Sequence, residues 1–223
     1  LPRPPPGDPN ADWPIPTLAI RVDDLEHAGA KVFFGVINPY EALREAVISV
    51  YCWLYTLETV PRNVNKVLLV LRPMEGVAVT FGSDLHKEIH FSLDYIKSIS
   101  PGTRAKHEIE GVLVHEMVHC FQHDGSKHGE RCPGGLVEGI ADWVRLRAGY
   151  APPHWREGRG GTWDAGYEAT GYFLDWIEER YGYGTVRELN EELGKRAYDE
   201  GMFKELTGRK ISKLWTLYRE SLE

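Results

Sequence analysis

The stretch 112–125, VLVHEMVHCFQHDG, constrains this chain more than any other. It sets His115, Glu116 and His119 in the order H-E-x-x-H. On a helix, residues four apart lie one turn apart on the same face. Two imidazoles at that spacing reach one metal ion, and Glu116 stands beside them to take a proton from a water on that ion. A side chain one residue on is offset by about 100° around the helix, so Glu116 is not itself a ligand. A catalytic zinc takes three protein ligands and keeps one position open. The fold must therefore hold this helix firmly and bring a third ligand to it from elsewhere.

Glu138 is the best third ligand. It sits in GGLVEGIAD, between Gly135 and Gly139, which let one helix approach another closely. Asp142 follows one turn later on the same face, where a carboxylate can accept the second ring N–H of a histidine ligand and fix its orientation. His123 continues the ladder of histidines but lies too far along the helix to close a tetrahedron. The metzincin pattern requires a histidine where Gly125 stands. Gly161-Thr162-Trp163-Asp164 resembles the G-T-x-D of aspzincins, which makes Asp164 the runner-up, although Asp164 also suits a helix N-cap.

The rest of the chain arranges itself around that helix. Residues 1–16 hold seven prolines and read as an extended arm on the surface or disordered. Residues 17–22 alternate as a strand does. Asn38-Pro39 is a cap followed by proline, opening a helix to about Thr59 with a stripe through Leu43, Val47, Val50 and Leu54. Residues 66–71 read as a central strand buried on both faces. Residues 76–81 read as a second strand, and 88–95 as an edge or near-edge strand. His86 and His90 are too far apart on a strand to share an ion. Ser100-Pro101 opens the metal helix, which is expected to run to Asp124 and stop at Gly125. Helices are expected at 136–148, from a cap at Asp164 to Tyr181, from a capping box at Thr185-x-x-Glu188, and near 200–206 and 212–222. Strands first and helices later predict an α+β fold. A mixed sheet would pack with the active-site helix (17–125) and a mainly helical lobe would follow (126–223), the two forming a single domain.

At this point three segments carry a resemblance: VHEMVHCFQHDG, GGLVEGIADWVRLRAGYAPPHW and WDAGYEATGYFLDWIEERYG. They look like the plant and bacterial peptidases called basic secretory proteins, and the likeness runs from about Val32 through the final SKLWTLYRE. The E-G-x-A-D helix after H-E-x-x-H is also similar to gluzincin metallopeptidases. The resemblance implies a zincin-like fold, secretion, zinc and proteolysis, with a suspected role in defence or nutrition. It supports His115, Glu116, His119 and Glu138. This chain departs from the family in being acidic, at −7 net charge, so the family's basic surface does not carry over.

The same charge, with no basic tract, disfavours nucleic acid and anionic membrane as partners. The longest apolar run, 46–57, falls short of the ~20 residues a membrane span needs. A start at Leu1 is compatible with removal of a signal. Cys120 and Cys132 are close enough in sequence to bridge, leaving Cys52 over; the alternative is three buried thiols. The function expected is a secreted zinc endopeptidase acting on protein or peptide. In it Glu116 is the base and Tyr167, or alternatively His154, the donor to the developing oxyanion. Trp155 and Trp163 are candidate cleft walls. The competing reading is a zincin scaffold that binds a wall polymer or partner protein without cutting it; an intact Glu116 favours the enzyme.

Overall fold

The computed structural model describes residues 7–99 and 102–223. The Ser100-Pro101 cap and the first six residues of the arm lie outside them. What is described of the arm is anchored. Gly7 N–H donates to Cys52 O at 2.8 Å, and buried Trp13 packs on Tyr51 with ring centroids 5.6 Å apart.

Four strands form one sheet among the described residues: β1 (Thr17–Val22), β2 (Lys66–Arg72), β3 (Ala78–Gly82) and β4 (His86–Ser92). Their order is β1-β2-β4-β3, with β1, β2 and β4 parallel and β3 antiparallel to β4. The apolar run of β2 lies in the interior, as both-face burial requires. β4 lies inside the sheet too, with β3 as the edge. It ends at Ser92 rather than at Tyr95. The Ser92 hydroxyl donates to Met74 O and accepts from Tyr95 N–H, starting the helix α3 (Leu93–Ser98) where a strand was expected. His90 is hydrogen-bonded to Glu88 and Arg72 and His86 is exposed, and neither falls in the metal-capable group found among the described residues.

Helix α1 (Ala28–Val36) has no Ser, Thr, Asp or Asn immediately before it; the ring nitrogen of His27 accepts from Gly29 N–H instead, which is why the sequence reading missed it. Helix α2 (Pro39–Leu54) begins at the expected Asn38 cap but ends about a turn before Thr59. Tyr55 is extended, and Thr56 and Thr59 bond each other's backbone N–H groups, diverting the chain into a turn. Helix α4 (Thr103–Phe121) carries the histidines and is buried almost all round from Gly111 onward, packed among α1, α2, β3 and α5 (Gly134–Arg147). No described helix is long and apolar enough to cross a membrane.

Helix α4 stops at Phe121, not Asp124, for an identifiable reason. A further turn would need the Phe121 carbonyl and the His123 N–H for helical bonds. Both are already taken: the Tyr55 hydroxyl donates to Phe121 O at 2.5 Å, and His123 N–H donates to Asn190 Oδ1 at 2.9 Å. His123 is therefore off the helix.

The helical half contains α6 (Tyr167–Tyr181), α7 (Thr185–Leu193), α8 (Gly201–Thr207) and α9 (Ile211–Glu220). Two expected caps are replaced. Asp164 does not cap α6; the Thr170 hydroxyl accepts from Gly166 N–H and donates to Trp163 O. Thr185 is already inside α7, and the buried Glu178 carboxylate accepts from Gly184 and Val186 N–H.

Glycine lets α5 and α6 approach so closely. A Cβ on Gly139 would lie 2.2 Å from Thr170 Cγ2, and one on Gly135 would lie 1.8 Å from Asp164 O. That approach delivers Tyr167 to the histidines. Gly139→Ala should cost about 1–3 kcal/mol by overpacking, read by denaturant unfolding. An unchanged midpoint would show that α6 moves aside freely.

Candidate metal centre

Helices α4 and α5 cross so that Glu138 faces both histidines. His115 Nε2 lies 3.1 Å from His119 Nε2 and 3.2 Å from Glu138 Oε2, and His119 Nε2 lies 3.5 Å from the same oxygen. These three atoms form a nearly regular triangle. A tetrahedral ion with ligand bonds near 2.0–2.1 Å sets its ligands about 3.3 Å apart, which is the spacing found. The three residues sequence reasoning nominated thus meet in a group that could hold a metal ion. Asp164 is not in it. Its carbonyl instead fills the space above Gly135.

His115 is oriented from behind. Its Nδ1–H donates to Asp142 Oδ1 at 2.6 Å, and Asp142 is itself buried. That bond turns Nε2 toward Glu138. Burial works against a charged ring here, but the hydrogen bonds to Asp142 and Glu138 outweigh it and hold the His115 pKa at about 9. Burial likewise opposes the Glu138 charge, yet His115 and His119 hold that carboxyl well below the usual carboxylate range. Without metal, therefore, the site is an imidazolium clasped between two carboxylates of α5.

Glu116 is buried and stands outside the triangle. The Thr80 hydroxyl, on edge strand β3, donates to Glu116 Oε2 at 2.6 Å and lies 3.1 Å from Glu116 O. Sequence reasoning missed Thr80. Strand alternation turns it to the inner face with Ala78, but nothing in the sequence pairs it with Glu116.

The site opens into a cleft of about 930 Å³ that runs along α4 from Glu108 and past its end to Asp124. One end is braced by a second group the sequence did not reveal. Arg145 donates to Glu108 Oε2 at 3.0 Å and lies over Trp155, while the Tyr95 hydroxyl donates to Glu108 Oε1 at 2.9 Å. Trp155 and His154 line the cleft; Trp163 does not, and packs on Phe203 instead. Tyr167 lies on the rim, 56% exposed, with its ring parallel to His115 at a centroid distance of 6.3 Å. Its φ of 47° is in the left-handed region, an uncommon place for a tyrosine and one that costs backbone energy. The Glu138 charge, then burial, raises its phenol pKa. Cys52, Cys120 and Cys132 are all buried free thiols, so the Cys120–Cys132 bridge does not form.

A metal taking His115 Nε2 must displace a proton at neutral pH, because the ring titrates near 9 without metal. Metal uptake at pH 7 should release about one proton, and affinity should rise with pH until about 9, where the His115 contribution levels off. Calorimetry in buffers of different ionisation enthalpy reads the release directly. Uptake without proton release at pH 7 would mean either that the His115 ring is already neutral before the ion arrives or that His115 is not a ligand.

The family model described as "Peptidase of plants and bacteria" matches residues 15–218. No curated protein matches the chain. With nearly the whole length matched, and with a metal-capable triad beside a buried glutamate within the matched region, the chain belongs to this peptidase family of plants and bacteria.

Proposed function

We propose that this member of a peptidase family is a secreted, zinc-dependent endopeptidase on a zincin-like, single-domain scaffold. The observation that carries the reading is the triangle of His115, His119 and Glu138 with Glu116 beside it. Two imidazoles and one carboxylate, with edges matching a tetrahedral ion, fit zinc in an open catalytic site; closed structural sites use four Cys or His ligands. The cleft continues past the triad in both directions along α4, which favours internal bonds over chain ends. Secretion rests on the family resemblance.

When bound, zinc supplies Lewis acidity, polarising the scissile carbonyl and acidifying a water. The chain's own residues do the rest. Glu116 takes the water's proton and returns it to the leaving amine. Thr80 holds one oxygen of Glu116, leaving the other to meet the water. Asp142 fixes the ring of His115. Tyr167, exposed on the rim beside His115, offers its hydroxyl to the oxygen that gains charge at the carbonyl; His154 is the alternative donor from the same cleft.

Glu116→Gln keeps the shape and can still bond Thr80, but cannot take a proton at neutral pH. It should bind zinc as the parent does and lose proteolysis at least ~100-fold. His115→Ala and His119→Ala should lose both. Digestion of a protein substrate, with and without chelator and alongside zinc stoichiometry, separates the cases. A Glu116→Gln variant that cuts as fast as the parent would remove Glu116 as the base. A parent that holds full zinc and cuts nothing would put the binding-scaffold reading ahead.

A further inference from the structure

Asp142 accounts for His115, but His119 also has a ring nitrogen turned away from the triad. That atom, Nδ1, lies 2.7 Å from the side-chain amide nitrogen of Gln122. The other end of the same amide, Oε1, is buried and has no hydrogen-bond partner. A buried carbonyl without a donor costs free energy, so the orphaned oxygen calls for a physical account.

We infer that Gln122 is the positioning residue of His119: with metal bound, its Oε1 accepts the Nδ1–H of His119 and commits Nε2 to the ion. The assignment rests on the reading of the triad as a metal site. His119 Nε2 faces His115 Nε2 and Glu138 Oε2, so it is the nitrogen that must present a lone pair to an ion. A neutral imidazole then carries its hydrogen on Nδ1. The amide nitrogen and Nδ1–H would both be donors, which cannot bond. A half-turn of the amide about Cγ–Cδ, between ends of nearly equal size, replaces that contact with N–H···O. It also gives the orphaned oxygen its partner and moves the amide nitrogen into the place the oxygen held. In the metal-free tautomer, with hydrogen on Nε2, the unturned amide donates to Nδ1. A carboxamide thus serves both tautomers, where a carboxylate serves only the metal-ready one.

The backbone explains how Gln122 comes to be there. It is the residue at which α4 ends: its N–H still bonds Val118 O at 2.8 Å, while ψ of 155° turns the chain away. Its side chain is left one turn past His119, at the i,i+3 spacing where side chains on a helix meet. The termination is held from outside by the Tyr55 hydroxyl on Phe121 O and by Asn190 on His123 N–H. Two other elements of the fold therefore set the place from which Gln122 reaches back.

The test is the zinc dissociation constant of the full chain, measured by competition with a chromogenic chelator, for the parent, Gln122→Leu and Gln122→Glu. Thermal unfolding of the chelated proteins checks that each variant folds. Gln122→Leu keeps the bulk and loses the acceptor, and should bind zinc roughly 10–100-fold more weakly. Gln122→Glu supplies a permanent acceptor and should bind at least as tightly as the parent. Gln122→Leu with parent affinity overturns the inference. So does an equal loss in both variants, since Gln122 would then act by packing alone. A parent that takes up no zinc would instead bring down the metal reading of the triad, and this assignment with it.

Discussion

Everything in this structure depends on the contact between α4 and α5, and within it on His115. The ring lies between Asp142 and Glu138, two carboxylates one turn apart on α5, and all three are bonded. A buried charge without partners costs several kcal/mol, so the ring fixes the relative height and rotation of the two helices. Gly139 and Gly171 then let α6 settle close to α5, and α6 sets Tyr167 over the site. Buried Glu178 on α6 in turn caps α7, which carries Asn190 back to the end of α4. The helical half is tied to α4 at both ends of this circuit.

The same arrangement is organised as a cation would require. Glu138 is held ionised by the histidines, and His115 is held protonated by the carboxylates. A divalent ion bound there would replace a proton in a cluster already organised around positive charge, with the ring orientation set beforehand. Preorganisation of this kind lowers the cost of assembling ligands, the usual penalty for a metal site on mobile side chains. Thr80 extends the same logic to Glu116, and it does so from the sheet, so that the candidate base is anchored to an edge strand as well as to its own helix.

The triad was legible in the sequence because H-E-x-x-H and the later E-G-x-A-D encode helical faces, and helical spacing is local. Asp142 was legible for the same reason. Thr80 and Gln122 were not, for two different reasons. Thr80 meets Glu116 across a strand-to-helix contact that no local pattern records. Gln122 is near His119 in sequence, but its use depends on where α4 ends, and that is decided by Tyr55 and Asn190 from distant segments. The other boundaries were displaced by nearer competitors, side chains three to eight residues away. Asp164 and Thr185 have good capping chemistry, yet Thr170, from the first turn of α6, and Glu178, from its last, took their places. Strands in the first half and a helical second half followed from periodicity and element order. The order β1-β2-β4-β3, which makes β3 the edge beside the site, did not.

The central claim is that one zinc sits on His115, His119 and Glu138. X-ray absorption at the zinc edge of the purified, zinc-loaded chain tests it most directly. The account predicts a four-coordinate nitrogen and oxygen shell at about 2.0–2.1 Å, with the outer-shell scattering of two imidazoles and no sulfur. A sulfur shell near ~2.3 Å, which would bring Cys120 or Cys132 into the site, or a shell lacking imidazole, would contradict it.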